Sequence, residues 1–536
     1  MRSTTWRSPA LALALSFATL AALAGCAASE PETATDEPVR VGTTLEFSAL
    51  DPVCATAPGD LQVVRQVFPR LLVATDDSDV VEPELAETAA FTAPGDFTVT
   101  LKSGLEFANG NELTSADVAF SFERQLDIGD GNAALSNLAS VDAVDDTTLV
   151  FHLVTAGDAA FPTLLASSAG SIVDEHTFPA DECGQVDDIV AGAGFAGQYL
   201  IPDLDADPEA PLALEPNPAY GGTLPAVSNV GVELTTFADA AALLGALDQG
   251  RVDVALDGVR PADLDGLGDD TSVRLLDGPS GAIRSLVFDF ATQPFGTASA
   301  EPNATKAQAV RQAVAALVDR DSLAEAAGPA FEPLVSFLPD GVSGAQDALG
   351  DTWGDGRGGP DEDQATDLLV AAGVATPVSL GIQYPDEHFG ASSQKVLAQL
   401  QEQLEASGLF DVTLASSEWS VFDEQRVADG YPTFYFGWSP ATPDALAYLA
   451  PYIGPPSVLA NDGSTAELQQ LVAELAAAAD ADARDGIIER IEAAEAVQLS
   501  TIPLLQGLRF VGVRDGVEGL DLDRPLEIRF GSITRP

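Results

Sequence analysis

The stretch from 229 to 256 narrows the possible folds more than any other. It holds, in order, the alternating run "NVGVELTTF", the helical run "ADAAALLGALDQG" and the short apolar run "RVDVAL". A strand, a helix and a strand in that succession imply a parallel pair with the helix laid over one face, which places the chain in the α/β class. Gly250 is read as the C-cap of the helix, because a residue without a Cβ turns left-handed without steric cost. The same unit recurs as "VSLGIQY", "SSQKVLAQLQEQLEASG" and "DVTLASSEW".

Other segments frame these units. "VRVGTTLEF" alternates like a strand and stops at the turn-rich "SALDPVCATAPGD". "LQVVRQVFPRLL" sets Leu61, Val64, Val67, Phe68 and Leu71 at helical spacing, with Asp60 as the expected N-cap. "DFTVTLKSGLEF" reads as a hairpin. "TSADVAFSFERQL" reads as a helix capped by Thr114 or Ser115, with Asp117 in its first turn. A second large region begins at "SLVFDF". The long helical stretch before "TIPLLQGLRFVGV" is expected to break near Asp480 to Arg484. A length of 536 residues leaves room for two or three lobes.

Charge and motif content exclude several functions. The net charge of -59 leaves no basic footprint for a phosphate backbone, so nucleic acid is excluded as a partner. Spread over a large surface, such charge serves solubility and says little about a pocket. The three histidines, His152, His176 and His388, have no ligand spacing, and Met1 is the single methionine, so no metal site is expected. With no G-x-S-x-G elbow, H-E-x-x-H, Walker loop or dinucleotide fingerprint, neither an enzyme nor a cofactor is expected.

The N-terminus reads as an address. Arg2 and Arg7 precede "ALALALSFATLAALAG", which has the pattern of an export signal and is short for a membrane span. It ends in "LAGC", which matches the lipobox of bacterial lipoproteins and marks Cys26 for lipidation. Residues 1–26 are thus expected to be a signal peptide and residues 27–38 a flexible tether. The expected location is the extracytoplasmic face of the cell membrane, held by the lipid. Cys54 and Cys183 then remain as an even pair in an oxidising compartment; a disulfide is expected, and two buried thiols are the alternative.

The ordered motifs resemble one family closely, the extracytoplasmic solute-binding proteins of ABC importers for peptides, nickel and related solutes. The resemblance begins at "LDP" (50–52). It is densest in "VEPELAETAAFTAPGDFTVTLKSGLEFANGNELTSADVAFSFER" and continues through "PNPAYGGTLPAV", "LDQGRVDVAL", "AVRQAVAALVDRDSL" and "TIPLL". It implies a two-lobed, type II periplasmic-binding-protein-like fold with a small extra domain inserted in the first lobe. Mapped here, lobe I comprises 36–60, 185–276 and 500–536, the inserted domain 61–184, and lobe II 277–499. It further implies a monomer that closes over a solute and hands it to a membrane permease driven by separate ATPase subunits.

The resemblance also marks pocket residues. Peptide-binding members carry a segment like "GW.PDYPD" whose first acid holds the ligand's α-amino group; here the segment reads "GWSPATPD". Trp438, Ser439 and Asp444 are therefore expected at the ligand, but Ala441 stands where that acid would be. A buried ammonium needs a paired charge, so Asp444 or Glu46 would have to replace it. Trp438 offers a flat face for stacking or cation–π contact, with core packing as its other reading. Glu46 and Phe47 end the first strand, Glu418 and Trp419 end "ASSEW", and Gly197 and Tyr199 lie in "GFAGQYLI"; all correspond to cleft positions of relatives. A short peptide is the expected solute. A metal chelate, a glycoside, or a sensor role without an importer are the alternatives.

Overall fold

The computed structural model describes residues 37–535, apart from 75–80, 129–134, 155–157, 159, 206, 208–209, 265–271, 357–358, 387, 391, 441, 443, 455–456, 479 and 523–527. Two strands are far longer than the rest. Val273–Phe288 has 16 residues and Thr501–Arg514 has 14. At about 3.3 Å per residue the first reaches roughly 50 Å, enough to cross two packed units. The two pair antiparallel from Val273↔Arg514 to Val287↔Thr501, with register shifts between Pro279 and Ile283 and between Arg284 and Ser285.

A mixed sheet of eleven strands, counted among the described residues, is built outward from this pair. On one side lie Thr433–Trp438, Val378–Pro385 and Phe410–Ser417. On the other lie Val254–Ala255, Val39–Thr43, Val232–Thr236, Leu212–Pro216 and Tyr199–Leu200. Phe331–Pro333 adds to the flank of Thr501–Arg514. Val39–Thr43 runs parallel to both Val232–Thr236 and Val254–Ala255, with helix Ala240–Asp248 between the latter two in sequence. Helix Ser393–Ala406 likewise joins the parallel strands Val378–Pro385 and Phe410–Ser417.

Local signals mostly act where the sequence sets them. Thr114 caps helix Ser115–Asp127 in a reciprocal capping box with Asp117, and Asp480 caps Ala481–Gln498 after the expected break. Gly250, at φ +67, stands one residue beyond the cap Gln249. Asp60 is a correction: the helix begins earlier, at Pro58, so Asp60 lies inside its first turn. Its buried carboxylate instead accepts the backbone N–H groups of Ser48 (2.7 Å) and Ala49 (2.9 Å), fixing the loop after the first strand.

The buried apolar residues gather into separate cores. The largest surrounds Thr433–Trp438 and its neighbouring helices, and a second surrounds Val39–Thr43. A third fills the space between helix Ser115–Asp127 and the four-stranded antiparallel sheet Ala86–Ala93, Asp96–Leu101, Thr148–Leu153, Leu138–Ala143, where Phe122 meets Phe151 edge-on at 4.9 Å. A smaller one lies under helix Ala240–Asp248. The position 276/277 falls inside the first long strand, so the chain passes from one core to another without a linker.

A buried ion pair helps tie the third core to the second. Arg124 and Asp51, both buried, form a two-pronged ion pair with contacts of 2.7 and 3.1 Å. Arg124 also donates to the carbonyls of Pro179 and Glu182, and Asp51 accepts from Gly184 N. Beside them Cys54 and Cys183 form a disulfide with Cα atoms 6.1 Å apart. Among the described residues, no helix is long and apolar enough to cross a membrane.

Two stability predictions follow from these contacts. The double variant Cys54→Ser, Cys183→Ser should lose about 2–5 kcal/mol in a denaturant titration, because the bridge closes a long loop in the unfolded chain. The second concerns Glu495, buried in helix Ala481–Gln498, which accepts from Ser500 Oγ at 2.9 Å and is pushed by burial up to about 7. Between pH 4.5, where a free glutamate titrates, and about 7, the folded state keeps a proton that the unfolded chain has released. Its contribution to stability therefore falls as pH rises through that window. Melts of Glu495→Gln should gain on the wild type across the same window, by roughly 3 kcal/mol in total.

Candidate functional site

The register shift between Pro279 and Ile283 lies midway along the first long strand, between the two largest cores. A cavity of about 1020 Å³ opens beside it. Ser280, Leu508 and Arg509 from the long strands form part of its lining. Leu45, Leu61, Arg65, Asp257 and Arg260 contribute from the side of the second core, and Ser439 and Pro440 from the side of the largest. The size suits a small solute and the placement lets two bodies enclose it. Another cavity, of about 610 Å³ around Val73, Glu82, Gln198 and Thr223, is lined by neither long strand.

The charge of the lining inverts that of the chain. Among the described residues of the lining, three arginines, Arg65, Arg260 and Arg509, stand with one acid, Asp257. That acid already accepts from Thr43 Oγ1 at 2.8 Å, from Thr44 N at 2.9 Å and from Thr44 Oγ1. Arg260 is partly balanced by Asp263 at 3.1 Å.

A further arginine, on the first long strand, lies outside this lining. Arg284 pairs in register with Gly437, and its neighbour Ile283 with Trp438. Its Cζ lies 5.6 Å from the Phe331 ring centroid and 5.1 Å from that of Phe389, within cation–π range of both. Its Nη1 donates to the carbonyl of Ile283 at 2.9 Å, while its buried Nε has no acceptor. Burial holds the guanidinium below the usual arginine range. A Cβ at residue 437 would lie 2.7 Å from Nη1 and 2.8 Å from the Phe389 ring, so glycine there makes the room. His388 stacks flat on Trp419, ring centroids 3.6 Å apart, and burial followed by the charge of Arg284 lowers its pKa.

The residues singled out from the sequence are placed as follows. Ser439 lines the cavity, and Trp438, half-buried, precedes it, its Nε1 donating to the Ala447 carbonyl at 3.1 Å. Trp419 is half-buried in the aromatic group around Phe389. Glu418 is exposed at the N-cap of helix Trp419–Val427. Glu46 is exposed, and Phe47 packs against the second core. Tyr199 is fully buried and donates to Asn229 Oδ1 at 2.9 Å. Gly197 lies against the end of helix Pro58–Val67, where a Cβ would meet the Val67 backbone at 2.5 Å. Asp444 is buried; it caps helix Ala445–Ile453 and ion-pairs with Arg484 at 2.7 Å. Ala441 and Cys26 lie outside the described residues.

Sequence reasoning missed the arginines. With Lys and Arg together numbering 24 against 83 acids, each one near the pocket segments carried information that periodicity does not read. As for metals, Asp117, Glu175 and His176 bring donor atoms within 4.8 Å of one another among the described residues. They lie outside the lining of this cavity, and Asp117 is engaged as a cap.

Comparison with known proteins places this geometry. Residues 80–458 match the family described as bacterial extracellular solute-binding proteins, family 5 middle. A probable D,D-dipeptide-binding periplasmic protein of Escherichia coli K12 is 29% identical over 265 residues, 48% of this chain; the chain spans 50% of that relative's length. The unliganded open form of a periplasmic murein tripeptide binding protein superposes with a TM-score of 0.77 at 18% identity, covering 94% of this chain and 98% of the other. HbpA2 from Haemophilus parasuis gives 0.79 at 19% identity, covering 93% and 100%. The chain thus shares the two-lobed α/β fold of these proteins, and with most of its length matched it belongs to family 5 of the bacterial extracellular solute-binding proteins.

Proposed function

We propose that this chain is the solute-capturing receptor of an ABC importer, anchored outside the cell membrane by a lipid on Cys26, and that its solute is an oligopeptide or peptide-like compound. One observation carries the reading: a cavity of about 1020 Å³ sits at the register shift of the two long strands, with walls from both flanking cores. Binding there favours the closed arrangement, and a permease that reads closure receives only loaded receptors. In this reading lobe I is 36–60, 185–276 and 500–536, the inserted domain 61–184 and lobe II 277–499, with Val63, Val64, Val67 and Phe68 of the inserted segment packing in the second core and Ile502, Leu504 and Leu505 in the largest. The dipeptide- and tripeptide-binding relatives support the class of solute.

Within this reading Trp438 and Ser439 meet the solute, and Phe47, Glu46, Glu418 and Trp419 border its path. Asp444, Tyr199 and Gly197 lie outside the cavity lining and act, in this reading, behind it. Asp444 in particular is spent on Arg484 and does not serve the peptide amino terminus.

The test is a thermal-shift screen of the body lacking residues 1–26 with short peptides, free and N-acetylated. A peptide at a hundredfold its Kd should add about 2.7 kcal/mol, and acetylation should cost little; no shift with either form would overturn the peptide reading. Asp444→Asn should lower stability by about 3 kcal/mol, since it leaves Arg484 buried without its charge partner, yet preserve the shift at saturating peptide. Cys26→Ser should move the protein from the membrane fraction into the medium, as a cell-fractionation blot would show.

A further inference from the structure

We propose that Asp117, Glu175 and His176 form a binding site for a divalent transition-metal ion of the Zn2+ type, outside the solute cavity and independent of the peptide reading. The first argument is the donor set. One imidazole nitrogen and two carboxylate oxygens from these residues lie within 4.8 Å of one another. Small rotations of the two exposed side chains bring that spacing to bonds of about 2.0–2.2 Å. A mixed set of nitrogen and oxygen suits Zn2+ and its first-row neighbours better than Mg2+ or Ca2+, which favour oxygen alone. The side chains of Glu175 and His176 are 40% and 70% exposed, whereas Asp117 is buried. The site is therefore anchored on one side and open to an arriving ion on the other.

The second argument is the charge around these donors. Asp51, Asp253 and Asp444 are buried, and each faces an arginine. Asp117 and Asp174 are buried as well, yet among the described residues no lysine or arginine pairs with either of them or with Glu175. Their cationic neighbour is His176, whose Nδ1 lies 3.5 Å from Asp174 Oδ1. Three acids thus converge on one imidazole, and a bound cation supplies the charge that an arginine supplies elsewhere.

The third argument is preorganisation. Asp117 Oδ2 accepts Thr114 N at 2.9 Å and Thr114 Oγ1 at 3.2 Å, and Oδ1 accepts Glu175 N at 3.1 Å. A carboxylate has about four acceptor sites, so one is left on the oxygen that faces Glu175. Asp174 accepts from the side chains of Asn109, Asn111 and Thr177 and from His176 N, which fixes the backbone carrying Glu175 and His176. Its carboxylate beside the imidazole is the outer partner that orients a metal-bound histidine. Val173 N donates to Ser121 Oγ at 2.9 Å and so holds this backbone against helix Ser115–Asp127, which carries Asp117. The other two histidines are already engaged, His152 between Asp96 and Asp142 and His388 on Trp419. An ion at this site clasps the helix to the segment leading to Phe178, which packs in the second core against Arg124.

The experiment titrates Zn2+ calorimetrically into the full chain in detergent, stripped beforehand with a chelator, with excess Mg2+ present to occupy diffuse binding to the acidic surface. A single saturable equivalent of Zn2+ is expected, with Co2+ binding more weakly and Ca2+ displacing neither. Glu175→Gln and His176→Ala alter exposed side chains and leave the fold intact. Each should weaken Zn2+ binding by about tenfold or more, at least the cost of losing an outer partner of a metal ligand. His152→Gln should bind Zn2+ as the wild type does. At a Zn2+ concentration that saturates the wild type, the melting temperature should rise for the wild type and for His152→Gln, and much less for the two site variants. Absence of saturable binding above the Mg2+ background would overturn the proposal, as would undiminished affinity in either site variant. Displacement of Zn2+ by Ca2+ would mark a diffuse response of the acidic surface and overturn it too. Loss of binding in His152→Gln with affinity kept in His176→Ala would do the same, by moving the ion to Asp96 and Asp142.

Discussion

The antiparallel pairing of Val273–Phe288 with Thr501–Arg514 is the constraint on which the other parts of the molecule depend. Both strands belong to both large cores, so each core adds its own strands and helices to one half of the pair. The shift at Pro279–Ile283 interrupts the ladder where the cavity opens. A bulge there lets the strands twist without losing the pairing on either side, which is what a hinge between two bodies requires. Gly507 allows the close approach: a Cβ on it would lie 2.4 Å from Ser280 Oγ. A side chain at that point would wedge the pair apart where it must bend.

The buried ions separate structure from recognition. Asp51 with Arg124 and Asp444 with Arg484 are each matched within the chain, and each fixes a loop or helix end. Two of these residues stand in the most recognisable motifs, "LDP" and "SFER", so part of the family signature maintains the joint between cores. Arg284 follows a different rule. Its surroundings are aromatic and, among the described residues, its guanidinium has no acid partner, so cation–π contacts with Phe331 and Phe389 take that place.

Much of the fold was legible from local pattern. The strand–helix–strand units, the Thr114 cap and the Asp480 break all act over a few residues, and the sequence states them directly. The first half of the long strand was not legible. "VRLLDGPSGAI" contains Gly, Pro and Ser, residues that favour turns, yet its pairing with Thr501–Arg514 holds it extended. Asp60 misled for a related reason, since a carboxylate at a helix start reads as a cap whether it serves that helix or an adjoining loop. In the pocket, the segment "GWSPATPD" did locate Ser439 at the cavity. The same segment could not reveal that Asp444 is neutralised by Arg484, forty residues later, because ion pairing across a fold leaves no periodic trace. The cleft positions transferred to Tyr199 and Gly197 fall outside the cavity lining, on interior contacts to Asn229 and the Val67 backbone.

The opposition between a surface of net charge -59 and a cavity lined by arginines has a physical logic. At physiological ionic strength a surface charge is screened beyond about 8 Å, so a small anion in bulk solution hardly feels the acidic exterior. Near the mouth of the cleft, repulsion from exposed acids disfavours binding on the outside, and the arginines favour entry. Inside, low-dielectric walls of Leu45, Leu61, Leu508 and Pro440 strengthen any charge pairing that forms. Closure would strengthen it further by excluding water. The same exterior would concentrate cations around the protein, yet the one acid among the described lining residues, Asp257, already accepts from Thr43 and Thr44 and offers them little. The net charge of the chain is therefore a poor guide to the charge of its cavity lining.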